Sequence, residues 1–256
     1  MKLERRYVEK PWGRTDLPAM FDAPTDMRVG EVWSTGGGDL PLLAKHIFTS
    51  ERLSVQVHPN DAEARARGLP NGKTECWYIL DAEPGSTIGL GFKDKLSEQE
   101  LRSSALDGSI EDLIDWRPVS AGDFIYVPAG TVHAVGGGLS LLEFQQNSDI
   151  TYRLYDYGRP RELHVDDAVA VALREPFPDW LAKHLSADEQ ILVHGPHFTL
   201  IQAQEDALAD RQRWVLPLRG EVRSGRDTAG PGECLLLEPD DRLESPDAIM
   251  LIGAKP

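Results

Sequence analysis

The chain has 256 residues, a formal net charge of −15 and two cysteines, Cys76 and Cys234. Such an acidic balance argues against general nucleic-acid binding and against docking on anionic lipid. Two cysteines exclude a disulfide framework or a paired-cysteine metal knuckle and predict a reducing, cytoplasmic setting.

Residues 1–7, Met-Lys-Leu-Glu-Arg-Arg-Tyr, contain no apolar signal region. No run approaches the roughly 18 apolar residues of a membrane helix. Glycine and proline punctuate short apolar stretches throughout, the pattern of a β-rich protein. In chain order, strands are predicted at Gly30–Thr35, Leu43–Thr49 and Leu53–Val57. A short helix at Asp61–Arg67 ends at Gly68, and strand Glu75–Leu80 follows. Ser97-Glu98-Gln99-Glu100 has capping-box spacing and opens a helix to about Leu106. A further helical turn is predicted over Ile110–Ile114, then strands at Phe124–Val127 and Ser140–Gln145. Asp166–Arg174 reads as a helix with acidic residues at its start, stopped by Pro176 and Pro178. The tail carries strands at Phe198–Gln202, Trp214–Leu218, Cys234–Leu237 and Ala248–Ile252.

Many short strands favour a sandwich or barrel over a doubly wound sheet. The expected fold is all-β, a barrel with short helical insertions. A boundary is expected between Glu175 and Pro196. It gives a metal-binding domain over residues 1–195 and a smaller C-terminal β unit over 196–256 with a structural role. The tail contains no ligand candidate.

Three segments carry the chemistry. In Ser54-Val55-Gln56-Val57-His58-Pro59-Asn60-Asp61, strand alternation sends Ser54, Gln56 and His58 to one face and the valines to the other. Gly72-Lys73-Thr74-Glu75 brings a carboxylate to the start of an apolar run. Gly122 to His133 has the spacing Gly-x5-Pro-x-Gly-x2-His, a strand followed by a tight corner that re-aims the histidine. Two imidazoles, a carboxylate and a carboxamide form an N/O donor set suited to Zn²⁺, and equally to Mn²⁺ or Co²⁺.

The third spacing resembles the second motif of the cupin superfamily of double-sheet barrels. That motif usually ends in Asn where this chain has Gly137. The first cupin motif also departs: His-x-His becomes Gln56-x-His58, and Glu75 comes late. With those departures, the chain resembles the type I mannose-6-phosphate isomerase family, in its short bacterial form. The resemblance rests on the three segments, on Pro11-Trp12-Gly13, Gly30-Glu31-Val32-Trp33 and Leu43-Ala44-Lys45, and on Gln145 to Arg159. It runs from about residue 8 to 175.

The resemblance implies one zinc held by Gln56, His58, Glu75 and His133. It implies a phosphosugar substrate, with mannose 6-phosphate and fructose 6-phosphate interconverted through an enediol. It places Arg153 as the active-site arginine that stabilises the enediolate. It also places Lys73, Lys45, Ser54, Glu143 and Asp149 in the pocket. Proton transfer stays open among Glu143, Asp149, Lys73 and a metal-bound water. Ser54, Lys45 and Arg159 are phosphate candidates, and Trp12 is the candidate for sugar contact. Two rival readings are a non-catalytic sugar-phosphate-binding cupin and an Fe(II) oxygenase. Neither a nucleic-acid nor a membrane partner is expected, and the sequence leaves oligomeric state open.

Overall fold

A computed structural model describes residues 1–36, 38–186, 191–245 and 247–256. Contacts divide the chain into two units. One comprises Met1–Ile47, Leu142–Gln146 and Leu185–Pro256; the other comprises Phe48–Leu141 and Asn147–His184. The first unit therefore joins the N-terminal strands to the C-terminal tail, whereas the sequence-based cut at residue 195 separates them. The expected boundary interval includes residues 187–190, which lie outside the described residues.

In the first unit, the 11-residue strand Glu4–Arg14 pairs antiparallel with Val29–Thr35, which pairs with Leu42–Thr49. The first of these strands is absent from the sequence prediction because charged residues fill both its exposed positions, Glu4, Arg6 and Glu9, and its half-buried ones, Arg5 and Lys10. A five-stranded antiparallel sheet holds Ile191–His194, Thr199–Ala203, Ile249–Ala254, Arg213–Arg219 and Leu235–Leu237 in that order. Val215, Leu235, Leu237, Met250 and Ile252 bury together on one of its faces. Gly253 is required where it stands: a Cβ there would lie 2.3 Å from the Phe144 ring.

The second unit has two sets of strands. Glu75–Ala82, Asp123–Val127 and Ala182–His184 pair antiparallel. Tyr152–Tyr155, Val55–Val57, His133–Val135, Thr87–Phe92 and Ile114–Pro118 form a five-stranded sheet. Helices Glu98–Asp107 and Val165–Val171 cover one face of that sheet. The predicted capping box at Ser97 is present: its side chain accepts from Glu100 N, and Glu100 returns a bond to Ser97 N. Gly108 ends the helix at φ 85°, a left-handed conformation that glycine adopts without strain. The later helix stops at Val171, three residues short of its predicted end. Leu173 N donates to Gly130 O at 2.8 Å, so the backbone is drawn into a bridge with the 130–131 segment. Among the described residues, no helix is long and apolar enough to cross a membrane. Cys76 and Cys234 are both buried and unbridged.

His46 is the one buried imidazole of the first unit's strands with a large pKa change. It is 3% exposed and meets the Phe21 ring edge-on at 5.0 Å. Burial, with a smaller contribution from Arg5, pushes its pKa from 6.5 down to about 3. The unfolded chain takes up this proton near pH 6.5, while the folded protein resists it down to about 3. Stability from this group is therefore complete above pH 6.5 and declines as pH falls through that window. The slope is at most about 1.4 kcal/mol per pH unit. His46→Phe is expected to flatten that decline in urea unfolding followed between pH 7 and about pH 4. Equal slopes for variant and parent would assign the acid sensitivity to other groups.

Candidate metal centre

The five-stranded sheet of the second unit divides its side chains by strand alternation. Val55, Val57, Ala134, Tyr152 and Leu154 bury against the two helices. Gln56, His133 and Arg153 therefore project from the opposite face. They stand in one row: Arg153 is opposite Gln56 in register, and Gln56 is opposite His133. Residues directly opposite in antiparallel strands share a face and contact each other.

Glycines bring the remaining ligand segments together. A Cβ on Gly72 would lie 2.4 Å from Pro59 O, so only glycine lets the Gly72–Glu75 segment run against Pro59 and Asn60. Lys73 N donates to Pro59 O at 3.1 Å, and Gly72 N donates to Asp61 Oδ1 at 2.9 Å. Gly130, at φ 87°, makes the corner before His133 and donates its N–H to His58 O at 2.8 Å. Gly137, where cupins usually have Asn, has Ser50 O at 2.9 Å from the position of a Cβ. A side chain there would collide with backbone.

The result is a buried cluster. His58 and His133 are each 1% exposed and Glu75 is 0% exposed. His58 Nε2 lies 3.5 Å from Glu75 Oε2, and His133 Nε2 lies 3.5 Å from Glu75 Oε1. One ligand atom from each residue falls within 4.8 Å of the others. Donors bound tetrahedrally at 2.0–2.1 Å stand about 3.4 Å apart, so these separations suit a shared cation.

The ring orientation points the same way. His58 Nδ1 lies 2.7 Å from Ile150 O, and His133 Nδ1 lies 3.0 Å from Thr131 O. A carbonyl oxygen only accepts, so each Nδ1 carries the proton and each Nε2 presents its lone pair to the cluster. This is how metal-binding histidines are oriented by their outer partners. Gln56 Nε2 lies 3.2 Å from His133 Nε2, while Gln56 Oε1 accepts from Ser54 Oγ at 3.1 Å. A turn of the carboxamide would present its oxygen to a cation instead. Lys73 Nζ lies 3.0 Å from Glu75 Oε2 and is almost as buried. Trp77, on the same strand face as Glu75, packs edge-on to His133 at 5.3 Å.

Arg153 reaches Glu162 O through Nε at 2.9 Å. Its two terminal nitrogens have no hydrogen-bond partner among the described residues. Burial lowers its pKa somewhat, with Arg161 adding to the effect. Asp149 is exposed. Arg159 is engaged elsewhere: it bonds Asp156 at 3.1 Å and Arg52 O at 2.6 Å, and its guanidinium lies over the Tyr157 ring.

The other three sequence candidates belong to the first unit. Lys45 and Glu143 form a buried ion pair at 3.2 Å, with Lys45 Nζ 4.6 Å above the Trp33 ring. Trp33 Nε1 donates to Glu31 Oε2 at 2.6 Å, and Lys10 Nζ lies 3.2 Å from Glu31 Oε1. Trp12 is 3% exposed, with its ring against Gly30. Sequence reasoning missed the two carbonyls that orient the histidines, because backbone acceptors leave no trace in residue type. It also missed Glu31, whose role emerges only once Trp33 is seen beside it.

Antiparallel strands with a His-Glu-His set directed inward define a cupin-type barrel with a candidate metal site. A mannose-6-phosphate isomerase of Streptococcus mutans is 38% identical over 220 residues, covering 82% of this chain and 69% of its own. Mannose-6-phosphate isomerase ManA of Bacillus subtilis is 43% identical over 162 residues, covering 60% of this chain and 50% of its own. Among solved structures, the mannose 6-phosphate isomerase from Bacillus subtilis superposes with a TM-score of 0.81 at 26% identity, over 98% of both chains. A mannose 6-phosphate isomerase bound with zinc and yttrium shares the fold with a TM-score of 0.71 at 16% identity, over 100% of this chain and 99% of that one. No protein-family model matches the chain. The chain belongs to the mannose-6-phosphate isomerase family.

The contact at Gly72 makes a prediction. Gly72→Ala is expected to lower stability by about 1–3 kcal/mol, because the backbone of residues 59 and 60 must move. It is also expected to weaken metal binding, since the same movement separates His58 from Glu75. Thermal unfolding with and without added zinc reads both effects; an unchanged zinc-induced rise would show that the two segments are positioned independently.

Proposed function

We propose that the chain is a metal-dependent aldose–ketose isomerase that interconverts mannose 6-phosphate and fructose 6-phosphate. The observation that carries this reading is the His58–Glu75–His133 cluster, with both imidazoles locked to present Nε2, in a chain of this family. Zinc is our choice of ion, supported by the relative that holds zinc and by the N/O donor set. Gln56, His58, Glu75 and His133 would hold it. When bound, the ion supplies positive charge that stabilises developing negative charge on substrate oxygens.

The protein's own groups then have distinct tasks. The reaction moves a proton between C2 and C1 of the sugar while the oxygens at those carbons exchange hydroxyl and carbonyl character. Arg153 stabilises the enediolate that lies between, a role supported by its place opposite Gln56 and its unengaged terminal nitrogens. Lys73 balances Glu75, and its ammonium can hold or release a proton beside the ligand set. Ser54 orients Gln56. From the family resemblance we also assign Lys45, Glu143, Asp149, Trp12 and Arg159 to substrate handling. Among these, the buried Lys45–Glu143 pair has the geometry of a proton-holding couple.

The test is isomerisation of mannose 6-phosphate by the purified protein, before and after chelation and zinc restoration, with metal content measured on the same sample. Turnover is expected to vanish with the metal and return with it. Bound metal with no turnover on any hexose 6-phosphate would favour a sugar-phosphate-binding role instead.

Two variants divide the roles. Glu75→Ala is expected to lose metal and activity together. Arg153→Ala is expected to retain the metal while turnover falls roughly 10²–10³-fold, the scale for removing one oxyanion-stabilising donor. A near-parental rate in Arg153→Ala would remove that residue from the mechanism.

A further inference from the structure

Arg153 stands on the strand Tyr152–Tyr155, the edge of its five-stranded sheet. An edge strand leaves alternate residues with an N–H and a C=O that no neighbouring strand pairs. At Arg153 both groups are taken up, and by one residue. His164 N donates to Arg153 O at 2.8 Å, and Arg153 N donates to His164 Nδ1 at 3.3 Å. The imidazole stands in for the carbonyl of a missing strand. Two residues earlier, Glu162 O accepts from Arg153 Nε at 2.9 Å. The 162–164 segment therefore holds Arg153 at three points. Of these bonds, only the one to Nδ1 depends on which side chain residue 164 carries.

Histidine is not the residue this place in the chain would favour. His164 is the N-cap of helix Val165–Val171, a position that prefers Ser, Thr, Asp or Asn because their side chains accept from the first turn. The His164 side chain makes no such bond. Its backbone oxygen accepts from Ala168 N at 2.8 Å, so the helix starts on its main chain while its ring serves Arg153. A backbone N–H only donates, so Nδ1 presents its lone pair and the ring proton sits on Nε2. Glu162 Oε2 lies 3.9 Å from Nε2, too far for a hydrogen bond. The ring tilts against Tyr152 with centroids 6.2 Å apart. A local preference broken at one residue is expected where that residue serves a site.

We propose that His164 is a positioning residue for the isomerisation: it fixes the backbone at Arg153 and, with it, the direction of the guanidinium. This rests on the reading of Arg153 as the group that stabilises the enediolate. Arg153 lies opposite Gln56 in register, so a shift of the strand edge carries the guanidinium along the row of candidate ligands. Donors stabilise developing charge only where they are held in place, and a misplacement of about 1 Å can lower a rate by as much as about 10²-fold. With Nε bonded to Glu162 O, the terminal nitrogens are left for the oxyanion.

The test compares three variants of the full chain. His164→Leu removes the acceptor. His164→Ser keeps a favoured N-cap, but its hydroxyl is one bond too short to replace Nδ1. His164→Asn places a carboxamide oxygen close to the position of Nδ1 and is a favoured N-cap as well. His164→Leu and His164→Ser are expected to lower kcat about tenfold at nearly parental KM and unchanged metal content. His164→Asn is expected to recover most of that loss. In ¹⁵N-labelled protein, the Arg153 amide is expected to exchange with solvent about tenfold faster in the first two variants, the scale of one hydrogen bond, and to be protected again in His164→Asn. The serine variant keeps the test decisive if His164→Leu fails to fold. A parental kcat in His164→Ser, an equal loss in His164→Asn, or an Arg153 amide indifferent to residue 164 would overturn the proposal. Arg153→Ala separates it from the reading beneath it. If Arg153→Ala loses turnover, these outcomes judge His164 alone; if it turns over at the parental rate, the reading of Arg153 falls and the proposal with it.

Discussion

Glu75 is a carboxylate withdrawn entirely from water, and the second unit is arranged around that fact. A lone buried carboxylate is strongly unfavourable. Here it is met by Lys73 at 3.0 Å and by two imidazoles at 3.5 Å. Those partners come from three separate stretches of chain, so the loops that carry them must be held together by backbone bonds. Gly72 N donating to Asp61, Lys73 N to Pro59 O and Gly130 N to His58 O do so. The same requirement explains why both imidazoles are anchored through Nδ1. A ring that could rotate would present an N–H to a cation as readily as a lone pair.

The helices contribute from the far side. Leu101, Ala105, Ala168 and Val169 fill the face of the sheet opposite the ligands, against Val55, Val57, Ala134 and Leu154. Because successive residues alternate between faces, fixing the valines fixes Gln56 between them. A slip of one residue would bury the carboxamide among aliphatic side chains and turn the valines toward the His-Glu-His cluster. The hydrophobic side of the sheet thereby sets the precision of its polar side.

The first unit contains a second polar chain, Lys10–Glu31–Trp33–Lys45–Glu143, with Glu31, Lys45 and Glu143 buried and Lys10 and Trp33 partly so. An apolar substitute for a buried ion pair is often at least as stable. Its presence therefore suits a chemical role better than a purely structural one, in keeping with the substrate-handling role we propose for Lys45 and Glu143. Glu31 and Trp33 lie in the segment Gly30-Glu31-Val32-Trp33, which carries part of the family resemblance. The contacts give that resemblance a physical content: Glu31 fixes the indole, and the indole supports the ammonium of Lys45.

Much of this was legible beforehand, where the signal was local. The capping box at Ser97, the strand from Val55 to Val57 and the corner ending at His133 all depend on residues within a few positions of one another. Strand Thr87–Phe92 was missed because Gly89 and Gly91 interrupt it, and neither glycine's reason is local. A Cβ on Gly89 would meet Ile114, and Gly91 pairs with Pro176. By itself the sequence determined which donor atoms exist, their spacing, and the face of the strand that carries Gln56. Only the tertiary structure decided that Lys73 neutralises Glu75, that Ile150 and Thr131 orient the imidazoles, and that the first 47 residues share a unit with the last 72. Those outcomes depend on contacts between segments distant in the chain, and residue type and spacing do not encode such contacts.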